Sequence, residues 1–156
     1  MERHLQERRS EIITGLIGAY WMELETVMNF IANSTNLVGV KAEPIKQSLA
    51  ADATEEVTHA QMLARRIHIL GGSVPGSASF KMAQITSQPP EDTTDAVSVI
   101  RGVIDAETAV IHQYRSVIAL CDGVDPVTED LCVTLLADEE EHRRVFQGYL
   151  TEYEKV

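Results

Sequence analysis

One glutamate sits inside the apolar stripe of each of four helical segments in this chain: Glu23, Glu56, Glu107 and Glu139. This pattern constrains the fold more than any other feature of the sequence. Glutamate is seldom fully buried unless it is paired, and an uncompensated charge in a core carries a large desolvation cost. The four stripes must therefore meet around something that neutralises them. Two of the glutamates are followed three residues later by histidine, in Glu56-Val57-Thr58-His59 and Glu139-Glu140-Glu141-His142. That spacing puts each pair on one helix face, about one turn apart. Six ionisable side chains are thus expected to point into one interior. Four carboxylates balance the charge of two divalent cations, and carboxylate oxygen with imidazole nitrogen suits iron without excluding manganese or zinc.

The rest of the pattern predicts four helices and almost no strand. The first runs from about Leu5 to Ser34, with Ile13, Leu16, Tyr20, Glu23, Val27 and Phe30 as its stripe, and stops in a polar run before Gly39. The second starts near Pro44 and ends at Gly71-Gly72, with Ile45, Leu49, Asp52, Glu56, His59, Leu63, Ile67 and Leu70 inward. The third follows Thr93-Thr94-Asp95, and its stripe Val97, Ile100, Ile104, Glu107, Ile111, Tyr114, Ile118, Cys121 keeps alternating steps of three and four. Asp125 caps the fourth and Pro126 opens it; Leu131, Leu135, Glu139, His142, Phe146 and Tyr149 face inward. Between the second and third helices, residues 71–94 are rich in glycine, proline and serine. So long a connection suits a crossover running the length of a bundle. The expected fold is all-α, a four-helix bundle with its long crossover between helices 2 and 3, as one domain over residues 1–156.

The chain also repeats itself. Glu23 and Glu56 are 33 residues apart, Glu107 and Glu139 are 32 apart, and an aromatic residue lies seven after Glu23 (Phe30) and seven after Glu107 (Tyr114). The two helix pairs read as copies of one unit related by an approximate two-fold, each bringing half of the site. The remaining acidic residues have plainer readings: Glu25, Glu43, Glu55, Asp138, Glu140 and Glu141 read as solvated faces. Tyr20, Trp21 and Tyr114 read as packing, and His4, His68 and His112, which lack a glutamate partner, as exposed or structural. A net charge of −11 argues against sequence-independent binding of nucleic acid. No apolar stretch is long enough to span a bilayer, and the charged start carries no signal core, so a cytoplasmic protein is expected. Cys121 and Cys132 form no CxxC; both lie near the turn between helices 3 and 4 and read as buried thiols.

With these motifs in place, the sequence resembles the ferritin-like superfamily, most closely bacterioferritins and the bacterioferritin-like branch of small Dps-like proteins. The resemblance covers about Glu11 to Tyr149 and rests on Glu23 with Phe30, Glu56-x-x-His59, Leu70-Gly71-Gly72, Glu107, and Asp138-Glu139-Glu140-Glu141-His142. It implies a di-iron centre, two iron ions per chain, held by Glu23, Glu56, His59, Glu107, Glu139 and His142. It also implies oxidation of Fe(II) by dioxygen or hydrogen peroxide, for iron storage or detoxification inside a homo-oligomer built on a dimer of the first two helices. In bacterioferritins a methionine after the second-helix glutamate binds haem; Val57 stands there, so no haem of that type is expected. The residues after His142 leave no room for a fifth helix, which points to twelve subunits or fewer rather than twenty-four. The different His/Asp pattern that classical Dps proteins use between subunits is missing. Two other readings stand beside this one. A rubrerythrin-like di-iron peroxidase would usually carry a further glutamate where Val110 lies, and a metal-free helical oligomerisation module would need none of the six as ligands.

Overall fold

The computed structural model describes residues 1–155. Four long helices, α1 (Glu2–Asn36), α2 (Glu43–Ile69), α3 (Ala96–Cys121) and α4 (Pro126–Tyr153), account for most of the chain. The expected boundaries hold to within a few residues, and the caps are the reason. Asp95 accepts from the Ser98 amide and Asp125 from the Thr128 amide, each at 3.0 Å. Pro44 and Pro126 occupy first-turn positions, where a missing N–H costs nothing. At the end of α2, Gly71 adopts φ +88°, so the Gly72 amide reaches back to Ile67 O at 2.9 Å. A side chain at Gly71 would strain that closure.

Short links at residues 37–42 and 122–125 make α1–α2 and α3–α4 antiparallel hairpins. The hairpins join along α1 and α3, which also run antiparallel: Arg8 reaches Leu120 O near one end, and Tyr114 reaches Glu23 further in. Residues 70–95 have to return along the whole bundle, and they do so beside α1. Gly72 lies against Ile13, Phe80 stacks on Trp21 with ring centroids 5.3 Å apart, Asn33 donates to Ser87 O, and the Val38 amide bonds Thr93 O. The crossover therefore has a packed partner at each stage. It presses on α3 as well: a Cβ at Gly102 would stand 2.4 Å from Thr86 O, so only glycine fits there.

Two apolar clusters fill the bundle, one on each side of its middle. Ile12, Leu16, Leu63, Ile67, Val117 and Leu135 belong to the first; Phe30, Ile45, Leu49, Ile100, Val103 and Phe146 belong to the second. Cys121 and Cys132 are free thiols buried in the first cluster, and burial pushes Cys132 up to about 12. Among the described residues no helix is long and apolar enough to cross a membrane.

The inward face of α1 differs from the expected stripe. Ile12, Leu16, Ala19, Glu23, Thr26, Phe30 and Asn33 are buried, whereas Ile13, Tyr20 and Val27 are half-buried at the flank. This helix is apolar around much of its circumference, so periodicity alone does not set its rotation; packing against α3 and the crossover does. Ile12 thus belongs to the core. Trp21 packs as expected, half-buried between Tyr20 and Phe80. On the outer face Met28 and Ile31 remain about half exposed, at 52% and 54%. Ile31, with Val27, Ser34, Ala50, Ala53, Thr54 and Val57, lines a shallow groove between α1 and α2.

Candidate metal centre

The layer between the two apolar clusters is polar. Each helix contributes to it from near mid-length, and all six side chains singled out in the sequence meet there. Glu56 and Glu139 are fully buried, Glu23 and Glu107 are 1% exposed, and His59 and His142 are 2% and 7% exposed. The Glu-x-x-His spacing puts His59 one turn from Glu56 and His142 one turn from Glu139, so α2 and α4 each present a carboxylate and an imidazole together.

The distances divide the cluster into two overlapping sets. His59 Nδ1 lies 2.7 Å from Glu139 Oε1, 3.2 Å from Glu56 Oε2 and 3.7 Å from Glu23 Oε2. His142 Nδ1 lies 3.0 Å from Glu56 Oε1, 3.4 Å from Glu139 Oε2 and 3.9 Å from Glu107 Oε1. Glu56 and Glu139 thus give one oxygen to each set, while Glu23 and Glu107 belong to one each. Within each set, one donor atom per residue lies within 4.8 Å of the others, a spacing that can hold a cation. The two imidazoles are nearly parallel, with ring centroids 6.4 Å apart.

Several of these atoms have no hydrogen-bond partner. Glu56 Oε1, Glu139 Oε2, both oxygens of Glu107 and His142 Nδ1 are buried and unpartnered. Glu56 Oε1 and His142 Nδ1 are only 3.0 Å apart, yet they are not aligned as a hydrogen bond. Buried polar groups are nearly always satisfied, so a concentration of exceptions at one place marks a site that takes a ligand. Four carboxylates and two imidazoles fit divalent first-row metals in number and type.

The electrostatics show what the cluster does to its own protons. Burial opposes charge on His59, but the hydrogen bonds to Glu139 and Glu56 outweigh it and raise the ring to about 11. His142, likewise disfavoured by burial and held by Glu56, Asp52 and Glu107, rises to about 10. Glu107 is pushed well above the ordinary carboxylate range by burial and by Glu139 beside it. Burial also lifts Glu139 to about 7, although Glu107 and His59 pull the other way. Burial acts on Glu56 too, but His142 and His59 together keep it below its ordinary value. Both imidazoles are thus held toward their protonated form, which offsets part of the carboxylate charge.

Residues outside the six matter as well. Asp138 Oδ2 lies 3.0 Å from His59 Nε2, and Glu55 Oε2 lies 2.7 Å from His142 Nε2, with Asp52 Oδ1 at 3.6 Å. A carboxylate behind an imidazole fixes the ring and raises its basicity toward a metal. The solvated-face reading of Glu55 and Asp138 is therefore incomplete, since each is partly exposed and bonded to a site histidine. The sequence carried a signal for this: each Glu-x-x-His is preceded directly by an acid, Glu55 or Asp138, and each acid serves the histidine of the other helix. The same reading fails outright for Glu25. It is buried, and accepts the Ala83 and Gln84 amides at 2.8 to 3.1 Å, pinning the crossover to α1. Tyr114 does more than pack: its hydroxyl donates to Glu23 Oε1 at 2.7 Å. His4, His68 and His112 are exposed, as expected.

The chain is similar to proteins of known kind over nearly its full length. It is 27% identical to the DNA protection during starvation protein of Pyrococcus furiosus, over 96% of this chain and 84% of that one. It is 25% identical to the bacterioferritin of Desulfovibrio desulfuricans, over 100% of this chain and 79% of that one. Its fold matches that of the dodecameric thioferritin of Bacteroides fragilis, a bacterioferritin-related protein, with a TM-score of 0.83 at 24% identity, over 96% of this chain and 90% of that one. The family described as a Ferritin-like domain matches residues 19–156, and this chain belongs to it.

Proposed function

We propose that the protein binds two iron ions through Glu23, Glu56, His59, Glu107, Glu139 and His142 and oxidises Fe(II) with dioxygen or hydrogen peroxide, for iron storage or detoxification. The observation that carries this reading is the set of buried, unpartnered oxygens and nitrogen facing one shared interior. In the reading, Glu56 and Glu139 serve both ions, Glu23 and His59 complete one half-site, and Glu107 and His142 complete the other. Two ferrous ions give up one electron each. With two protons, those electrons turn dioxygen into hydrogen peroxide, or hydrogen peroxide into two waters. The chain's own work is to hold the ions close together, to exclude bulk water and to favour the ferric state with four carboxylates.

A metal-free oligomerisation module would leave those same buried atoms without partners, at a cost for each. A rubrerythrin-like site is less well served, because the position of its further glutamate is the buried apolar Val110. Val57 offers no sulfur, so haem forms no part of the reading. Neither does nucleic acid, given the net charge of −11. A homo-oligomer does belong to it, with a two-fold dimer as the unit and a hollow shell as the assembly; the structural neighbour from Bacteroides fragilis is itself dodecameric.

The test is anaerobic titration with Fe(II), followed by exposure to oxygen while near-ultraviolet absorbance is recorded. Saturation at two irons per chain and a rapid absorbance rise are expected. His59→Ala and Glu139→Ala should abolish the rapid phase while leaving a helical, folded chain. Unchanged oxidation rates in both variants would sink the assignment.

A further inference from the structure

The internal repeat is imperfect at one pair of buried positions. Glu23 to Phe30 is seven residues forward on α1, and Tyr114 back to Glu107 is seven residues on α3. The two helices run antiparallel, and Tyr114 is level with Glu23, to which its hydroxyl donates at 2.7 Å. The same register brings Phe30 level with Glu107. Phe30 is 1% exposed and has no hydroxyl to give. The difference shows in the carboxylates: Glu23 has a fixed donor, whereas both oxygens of Glu107 are buried without one. The imidazoles do not cancel this asymmetry. Each has a carboxylate behind it at 2.7 to 3.0 Å. But His59 Nδ1 is hydrogen-bonded within the cluster, while His142 Nδ1 is unpartnered and its residue is the more exposed, at 7% against 2%.

We propose that the two metal half-sites are unequal. The Glu23–His59 half, whose carboxylate Tyr114 holds in place, fills first; the Glu107–His142 half, where Phe30 replaces the second hydroxyl, is the weaker, exchangeable position. Tyr114 acts as a positioning residue, since it reaches a ligand and not the reacting atoms. A prearranged carboxylate loses less freedom on binding than a free one, and partners of this kind change metal affinity by roughly tenfold or more. This inference rests on the di-metal reading above.

Co(II) is a suitable probe because it binds without being oxidised under these conditions and reports coordination by visible absorption. Titration of the intact oligomer should show two steps, with dissociation constants at least roughly tenfold apart. At one equivalent, the paramagnetically shifted imidazole signals should come from one histidine; they should vanish in His59→Ala and persist in His142→Ala. Tyr114→Phe removes a single oxygen, and should weaken the first step and bring the two together. Phe30→Tyr should tighten the second step, and Tyr114→Phe covers the case in which the larger side chain is not accommodated. Two equal steps, first loading at His142, or a first step unmoved by Tyr114→Phe would each overturn the asymmetry while leaving the di-metal reading intact. Failure to bind Co(II) at all would overturn the di-metal reading itself, and the asymmetry with it.

Discussion

Glu107 shows how a buried group can be unfavourable for folding and still be kept. Both its oxygens are buried and unpartnered, and burial with Glu139 beside it pushes its pKa well above the ordinary range. In the absence of metal, Glu107→Leu should therefore stabilise the protein by about 1–3 kcal/mol, the usual desolvation penalty of an unsatisfied buried group. A rise of a few degrees in melting temperature in the presence of chelator is the expected result, together with weaker metal binding. The histidines predict a pH dependence. In the folded, metal-free protein both rings are raised, to about 11 and about 10, so both carry a proton at neutral pH. A metal needs the neutral ring, so loading must displace those protons, and affinity should climb as pH rises from 6 to 8. Titration in weak buffer should register release of more than two protons per chain when both half-sites fill, because the raised Glu107 and Glu139 carboxyls give up protons along with the two imidazoles. Loading without proton release would contradict the arrangement of charges described here.

Among the elements, the crossover depends most on one residue. Glu25 accepts the Ala83 and Gln84 amides from within α1, and Gln84 in turn bonds Thr26 and Asn29. Glu25→Ala leaves two amides unsatisfied and should cost about 1–3 kcal/mol. The loss should be local: faster hydrogen exchange at Ala83 and Gln84, with the amides of α4 unaffected. Nothing about Glu25 in the sequence separates it from a solvated glutamate, because its partners are backbone groups far along the chain. The same limit explains the other misreadings. Helices 2 and 4 were legible because the Glu-x-x-His pairs mark the inward side. Helix 1 was not, because apolar residues nearly surround it and its rotation is decided by α3 and the crossover. That these six side chains share one buried layer was legible because each breaks an apolar stripe. Glu55 and Asp138 lie at the edge of the bundle, where composition resembles surface, and only their place directly before each Glu-x-x-His hinted at a role. Tyr114 was visible as a repeat position, but its bond to Glu23 depends on the register between two helices, which no local pattern encodes.

For the molecule as a whole, the groove between α1 and α2 leads to a prediction about assembly. Met28 and Ile31 are about half exposed on the outer face of α1, and Ile31 lines the groove with Val57, an apolar surface that polar solvent disfavours. Paired substitution of Met28 and Ile31 by glutamate should shift the native mass toward monomer and leave helicity intact; an unchanged mass would place the subunit contact elsewhere. The crossover has a further consequence. It is the only covalent connection between the two hairpins, and it supplies none of the six side chains at the centre. Yet each candidate metal set draws on both hairpins: Glu139 joins Glu23, Glu56 and His59, and Glu56 joins Glu107, Glu139 and His142. Separate peptides covering residues 1–75 and 77–156 should therefore associate on mixing, more tightly with Co(II) or Fe(II) than with chelator, which mass measurement of the mixture can read. The ions would act as clasps between two peptides, and the bond at Gly76 would serve only to set the effective concentration at which the two meet.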